Sequence, residues 1–457
     1  MPYSNLKPAD LLAKLIQEHG RLLVDNPRAL ASDNADLKHH LYQLQRINLV
    51  TVTQHWRQVS KGLQGLKRTR LLDFLLGQLD DHYSRHSLIQ LKTAHGTLIL
   101  GRRWWKQYAP HQTRSKFDDF SFLHMRLILN RKDHFISTLK HKGQFTAFFE
   151  QSARGEPFRV GLVCFSGNAK TWFEGTRPLP KEDKVYGFQA SHVAPSEAFD
   201  AELKACLAWA RKEKVHILCL PELCVSPVGR ELLKQEIEKE PGSLCLVLPG
   251  TFHESDPDGS IINTAPVWLV GANGIVALAT YHKGSRFEMS LKKASGLPNM
   301  ANASKPAGEK GCEVLKEDTL PIQEMCLLST PIGLIGVMIC KDMLVDRISQ
   351  GYLDLVDHML VLSMNASPTT IFYGKAESAA RNYLTGTFYV NATQVVAADN
   401  SSIEMAFWYP PTKVDGKDCR SSFYRKLTPE LPLSKSALTK EGYVLFEIGR
   451  IPEVLIK

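Results

Sequence analysis

Apolar positions divide the chain into two regimes. Up to about residue 150 they recur mainly at three- and four-residue intervals, the spacing of one helix face. Pro8-Ala9-Asp10 opens such a run through Leu23, with proline at a permitted first-turn position. Asn34 and Asp36 are candidate caps for a second run, LKHHLYQLQRINLVTVTQHWRQV, and Leu71 to His82 gives a third. The segment LIQLKTAHGTLILGRRWW alternates more than it cycles, which predicts strands with His95-Gly96 as a hairpin turn. Phe117 to Phe149 reads as helix again, in two pieces broken near Gly143. The expectation is a mainly helical N-terminal domain.

At Phe158 the pattern changes. FRVGLVCF is a continuously apolar run of the kind that forms a buried strand. Ala198 to Lys212 reads as helix, VHILCLPE as a second buried strand, Glu231 to Glu238 as helix and SLCLVLPGTF as a third strand. Strands recur at APVWLVG, GIVALATYH, IGLIGVMIC and HMLVLSMNA, and Asn273-Gly274 is a strong hairpin signal before GIVALATYH. Buried strands alternating with helices predict a layered α/β domain.

Charge sharpens the division. The 457 residues carry 56 Lys+Arg and 47 Asp+Glu, a net of +9. Residues 1–150 hold 23 of the basic and 12 of the acidic groups, and 11 of the 16 histidines. The remainder is therefore close to neutral. This places a boundary near Gly155–Pro157, giving a basic domain over 1–154 and an α/β domain over 155–457. The basic groups include KRTR at 67–70, GRRWWK at 101–106 with Trp104 and Trp105, and Arg131-Lys132. Basic residues interleaved with aromatics suit phosphates and stacked bases, or an acidic protein partner. The plainer reading is a solvated helical surface with tryptophans in the core, and no helix-turn-helix, RRM or KH signature favours nucleic acid.

Composition excludes several classes. No apolar run is long enough to span a bilayer, and MPYSNLKPADLLAKLIQ lacks the order of a secretory signal, so a cytoplasmic protein without membrane attachment is expected. The nine cysteines are odd in number, and most lie in apolar stretches, as buried thiols of a reducing compartment do. No CxxC pair and no zinc-finger spacing occurs, so no metal is expected.

Three reactive types stand directly after buried strands: Glu222 after VHILCLP, Lys283 after GIVALATYH and Cys340 at the end of IGLIGVMIC. Strand ends are where α/β folds display reactive groups. Each has an ordinary use alone: a core thiol, a solvated turn lysine, a helix-start carboxylate. Together they match one chemistry. A thiol needs a base, a carboxylate shielded from water serves as one, and an ammonium beside both favours thiolate and oxyanion.

Over roughly 158–450 these blocks, in order, resemble the nitrilase (carbon–nitrogen hydrolase) superfamily. CLPELCVS resembles its glutamate block, INTAPVWLVGANGIVALATYHK its lysine block, and STPIGLIGVMICKDM its cysteine block. AARNYLTGTFYVNATQ resembles the helix and strand that follow. The resemblance implies a four-layer α–β–β–α sandwich, assembly as dimers or larger, and no cofactor. It implies Cys340 as nucleophile, Glu222 as general base, Lys283 holding the tetrahedral intermediate, and the Lys341 N–H completing the oxyanion hole. The substrate would be a small-molecule or peptide amide.

The sequence departs from the family in three ways. Lys341 stands where an aromatic or small residue is usual, and it either favours the thiolate, recruits an anion or points to solvent. The interval from Lys283 to Cys340 is long and holds KKASGLPNMANASKPAGEKG, read as an inserted loop over the pocket. That loop obscures the family's second glutamate. Glu288 and Glu309 compete, with Glu288 favoured because an aromatic residue precedes it shortly after the lysine. The basic N-terminal part is the third departure, and it fits a regulatory or targeting domain. The rival reading is a catalytically weak scaffold of the same fold in a larger, defence-related or nucleic-acid-associated assembly.

Overall fold

A computed structural model describes residues 6–25, 47–83, 89–100, 125–129, 134–138, 158–164, 172–191, 197–271, 274–322, 324–330, 333–353, 355–365, 370–383, 385–392, 406–409 and 443–448. The chain divides into two compact units, Met1–His134 with Thr330–Gly333, and Phe135–Ser329 with Leu334–Lys457. The charge-based boundary at Gly155–Pro157 lies outside the described residues.

In the first unit, helices α1 (Pro8–Asp25), α2 (Leu49–Val59) and α3 (Gly65–Tyr83) are followed by an antiparallel sheet. Its strands are β1 (Ile89–Thr93), β2 (Gly96–Leu100) and β3 (Met125–Leu129), in that order. Leu11, Leu15, Trp56, Leu72, Leu79 and Leu98 are buried in one apolar cluster, which combines the helix faces with one sheet face. Asn48 caps α2: its side chain accepts the Val50 and Thr51 N–H groups, while Thr51 Oγ1 accepts the Asn48 N–H. The expected caps Asn34 and Asp36 lie outside the described residues. Thr93 pairs with Gly96, so the two-residue loop of the expected hairpin is Ala94-His95.

The helix expected over Phe117–Phe149 is corrected at two places, and the rest of that stretch lies outside the described residues. Met125–Leu129 and His134–Thr138 are strands. Both carry β-branched residues (Ile128, Ile136, Thr138), which favour extended backbone, and the polar run NRKD separates them. Among the described residues, the first unit holds three helices and a small sheet.

The second unit runs β4 (His134–Thr138), β5 (Phe158–Val163), β6 (Phe173–Pro178), β7 (Val185–Ala190), α4 (Glu197–Lys212), β8 (Ile217–Leu220), α5 (Pro227–Lys239) and β9 (Leu246–Pro249). Next come β10 (Phe252–Ser255), β11 (Ile261–Gly271), β12 (Gly274–His282), β13 (Glu288–Ser290), α6 (Leu291–Ser295), α7 (Ala301–Glu309) and β14 (Val314–Glu317). It ends with β15 (Met325–Thr330), β16 (Gly333–Ile339), α8 (Asp346–Leu353), β17 (His358–Ser363), α9 (Thr370–Tyr383), β18 (Gly386–Asn391), β19 (Ala406–Tyr409) and β20 (Tyr443–Ile448).

Among the described residues these strands form three sheets. One has the order β10-β11-β9-β8-β5-β20, with β12 also on β11, and its centre, β5-β8-β9, is parallel. A second has the order β19-β18-β17-β16-β15-β4, with β16, β17 and β18 parallel. A small sheet, β13-β14-β7-β6, completes the set. The two large sheets face each other, β17 against β8 and β18 against β5. Helix α4 covers the first: a Cβ added at Gly161 on β5 would sit 3.0 Å from the Trp209 ring. Helix α9 covers the second, with the Phe372 ring 4.9 Å from that of Tyr389, tilted at 39°, and Tyr373 5.6 Å from Phe407. The unit is a mixed α/β fold layered α–β–β–α.

The interval after Lys283 is not the loop expected. It forms β13, α6, a 3-10 turn at Pro298–Met300, α7 and β14. Ser290 caps α6 by accepting the Lys293 N–H, and α7 buries Ala303, Ser304 and Ala307 on one face. Small residues that read as loop composition are here the close-packing face of a helix. Among the described residues, no helix is long and apolar enough to cross a membrane.

Candidate active site

Parallel strands end at one edge of each large sheet, and the reactive side chains follow those ends. Glu222 follows β8, Cys340 follows β16 and Ser363 ends β17, while Lys283 follows β12 of the antiparallel pair. Lys283 Nζ donates to Glu222 Oε1 at 2.7 Å and to Glu317 Oε2 at 2.7 Å. All three side chains are at most 2% exposed. Lys283 is thus held between two carboxylates, and the second is Glu317 at the end of β14. It is neither Glu288 nor Glu309. Glu288 lies exposed on β13, where its carboxylate pairs with Lys316 Nζ at 3.8 Å and Lys341 Nζ at 3.9 Å. The two supporting candidates from sequence, Glu288 and Lys341, therefore pair with each other.

Three further residues set the carboxylates. Asn263 Nδ2 donates to Glu222 Oε1 and Glu317 Oε1, both at 3.1 Å. His253 Nδ1 accepts the Ala190 N–H at 2.8 Å, which leaves the proton on Nε2 to donate to Glu317 Oε1 at 3.0 Å. The Phe287 N–H donates to Glu317 Oε2 at 2.7 Å. Burial alone would raise the Glu317 carboxyl, but Lys283 and His253 outweigh it and hold the group well below the usual range. Burial would lower Lys283, and Glu222 and Glu317 reverse that, keeping the ammonium charged.

Cys340 is 2% exposed and adopts a left-handed backbone, φ 46°, at the start of the 3-10 turn Cys340–Leu344. Leu223, the residue after Glu222, is left-handed too, at φ 53°. Non-glycine residues in this region are strained, and here the strain sits beside the reactive groups. Ser363 Oγ donates to Cys340 Sγ at 3.3 Å, and Tyr389 Oη donates to Ser363 Oγ at 3.1 Å. The Met364 N–H donates to Glu222 Oε2 at 3.0 Å and also stabilises charge on the Cys340 sulfur, so one peptide group links carboxylate and thiol. Burial first, then Glu222, push the thiol well above its ordinary value, and Lys283 pulls it part of the way back. The resting group is the neutral thiol.

Below Cys340, Asp342 ties the turn to β12. It accepts Tyr281 Oη at 2.7 Å, the Gly284 N–H at 3.0 Å and Ser285 Oγ at 2.5 Å. Burial pushes its carboxyl up to about 6 against those donors. Beside the carboxylates opens a pocket whose free space, mouth included, is about 440 Å³. Glu222, Lys283 and Glu317 form its polar wall, and residues between Phe287 and Met300 contribute another. Among the described residues, no group of three or more His, Cys, Asp or Glu is arranged to hold a metal ion.

Sequence reasoning missed Glu317, His253, Ser363 and the role of Asn263. One signal for Glu317 exists. In VLKE the residues alternate half-buried and buried, which puts Leu315 and Glu317 on the same inward side. An acid on the apolar parity of a strand marks a paired, buried carboxylate.

No protein-family model matches the sequence, and no curated protein does. Solved structures of similar fold include a CN-hydrolase superfamily protein from Xanthomonas campestris, at 12% identity over 66% of this chain and 93% of that one, with TM-score 0.36. An amidase from a Nesterenkonia species is 14% identical over 59% of this chain and 96% of that one, with TM-score 0.33. A glutamine-dependent NAD+ synthetase from Acinetobacter baumannii is 15% identical over 65% of this chain, with TM-score 0.35, and the chain spans 46% of its length. At these TM-scores the likeness adds nothing to the chain's own geometry.

Proposed function

We propose that the second unit is a thiol-dependent carbon–nitrogen hydrolase that splits amides through a Cys340 thioester. The supporting observation is the buried Glu222–Lys283–Glu317 cluster, joined to the Cys340 thiol through the Met364 peptide. A neutral thiol beside a carboxylate calls for general-base catalysis, not a standing thiolate. Glu222 takes the Sγ proton as sulfur attacks the amide carbon. Lys283 Nζ and the Lys341 N–H stabilise the oxyanion. The proton passes from Glu222 to the leaving nitrogen, and the C–N bond breaks to give the thioester and an amine or ammonia. Glu222 then takes a proton from water, hydroxide attacks the thioester, and sulfur leaves as thiol. Glu317 keeps Lys283 charged and aimed; it is a positioning residue. Lys341 is paired with Glu288, which leaves its side chain without a direct part in this scheme.

Ammonia release from simple amides tests the proposal. Cys340→Ala and Glu222→Gln each lower kcat by a factor of about 10³ or more, whereas Glu317→Gln lowers it by about 10². Unchanged turnover in Cys340→Ala contradicts it.

A further inference from the structure

The pocket beside the carboxylates has an uneven chemistry. Its aromatic wall comes from three separate places, Phe173 on β6, Phe188 on β7 and Phe287 after Lys283. Phe173 and Phe188 meet edge to face, with centroids 5.5 Å apart and planes at 89°. Leu223, Met289, Leu297, Met300 and Met364 supply the aliphatic and thioether remainder. Among the described residues, apart from the three charged groups, the lining offers one polar side chain, the neutral amide of Asn299.

Those three charges are already committed. Lys283 is bonded to two carboxylates at 2.7 Å each. Glu317 accepts from Lys283, His253, Asn263 and the Phe287 N–H. Glu222 accepts from Lys283, Asn263 and the Met364 N–H. A carboxylate entering the pocket would meet two anions around one cation. An ammonium would have to compete with Lys283, Asn263 and the peptide N–H donors for the same carboxylate oxygens. Either would give up its hydration for at most a shared partner, which is more costly than burying carbon.

We infer, resting on the amidase reading above, that the site takes amides with an uncharged, apolar acyl group, aromatic ones best, and rejects acyl groups bearing a carboxylate or an ammonium. The pocket opens to solvent at its mouth, so an acyl group enters with its apolar end against the aromatic wall. Rings gain edge-to-face contacts with Phe173 and Phe188 and sulfur contacts with the methionines. Phe287, Met289, Leu297, Asn299 and Met300 all come from the interval between Lys283 and Cys340. That inserted segment therefore sets acyl specificity, while the groups that move protons lie outside it.

Two readouts on the full chain separate this inference from the reaction itself. The first is ammonia release by the wild-type protein from phenylacetamide, isovaleramide, succinamate and 4-aminobutanamide. Phenylacetamide exceeds both charged amides in kcat/KM by about 100-fold or more. The second is ligand-observed NMR on Cys340→Ala, which binds without turnover. Phenylacetamide gives saturation transfer that Met300→Lys, in the same background, reduces at least about fivefold, and succinamate gives none. If wild type turns nothing over but the binding order holds, the reaction fails and the specificity stands. Comparable binding or turnover of a charged amide overturns the specificity, and so does absence of binding by every amide.

Discussion

At the scale of single residues, the site pairs charge excess with strain. Two carboxylates share one ammonium, and Cys340 and Leu223 hold left-handed backbones beside them. Asp342 is the clearest case of a group whose burial has a measurable signature. It is buried, has three donors and is pushed up to about 6 from an ordinary value near 3.8. Because the folded value lies above the unfolded one, the folded state binds the extra proton between the two. Stability from this group is full below about pH 4 and is lost as pH rises through about 6, by roughly 3 kcal/mol. Asp342→Asn removes that dependence. Denaturant unfolding of both proteins between pH 4.5 and 7.5 should show wild type falling relative to the variant as pH rises. A difference that is flat with pH contradicts the assignment. Glu222, Lys283 and Cys340 were legible in the sequence because each follows a recognisable apolar strand. Glu317 was hidden because its strand is four residues long and lies 34 positions beyond Lys283, past two helices. His253 and Ser363 were hidden because nothing local to a histidine after Phe252 or a serine closing β17 announces a cross-sheet partner.

At the scale of elements, long uniform patterns were legible and short mixed ones were not. The buried strands β5, β8, β9, β16 and β17 and helices α1 and α3 fall where apolar periodicity puts them. The misreadings came where small residues pack closely, as in α7, and where five-residue strands carry too few positions for a period to show, as in β3 and β4. Close packing also yields a test. Gly336 sits inside β16, and an added Cβ would lie 2.7 Å from the Tyr352 ring of α8. Tyr352 is fully buried, and its hydroxyl accepts the Cys326 N–H at 2.8 Å, so the ring has little freedom to retreat. Gly336→Ala costs about 1–3 kcal/mol and lowers Tm by several degrees. Thermal unfolding with no loss of stability contradicts the packing described.

At the scale of the whole molecule, the basic excess is confined to the first 150 residues and the chemistry to the second unit. Part of that basic excess is spent internally: Arg68 of the KRTR run bonds Glu18 and lies over the Trp56 ring at 5.4 Å. The GRRWWK run and Arg131-Lys132 lie outside the described residues. The central claim is that Cys340 forms a covalent acyl intermediate whose hydrolysis depends on Glu222, and intact-protein mass spectrometry reads it directly. Exposed to phenylacetamide and quenched in acid, the full chain should gain the mass of one phenylacetyl group, mapped to Cys340 and absent from Cys340→Ala. Adduct-free protein during measurable amide turnover, or an adduct on any other residue, would contradict the account.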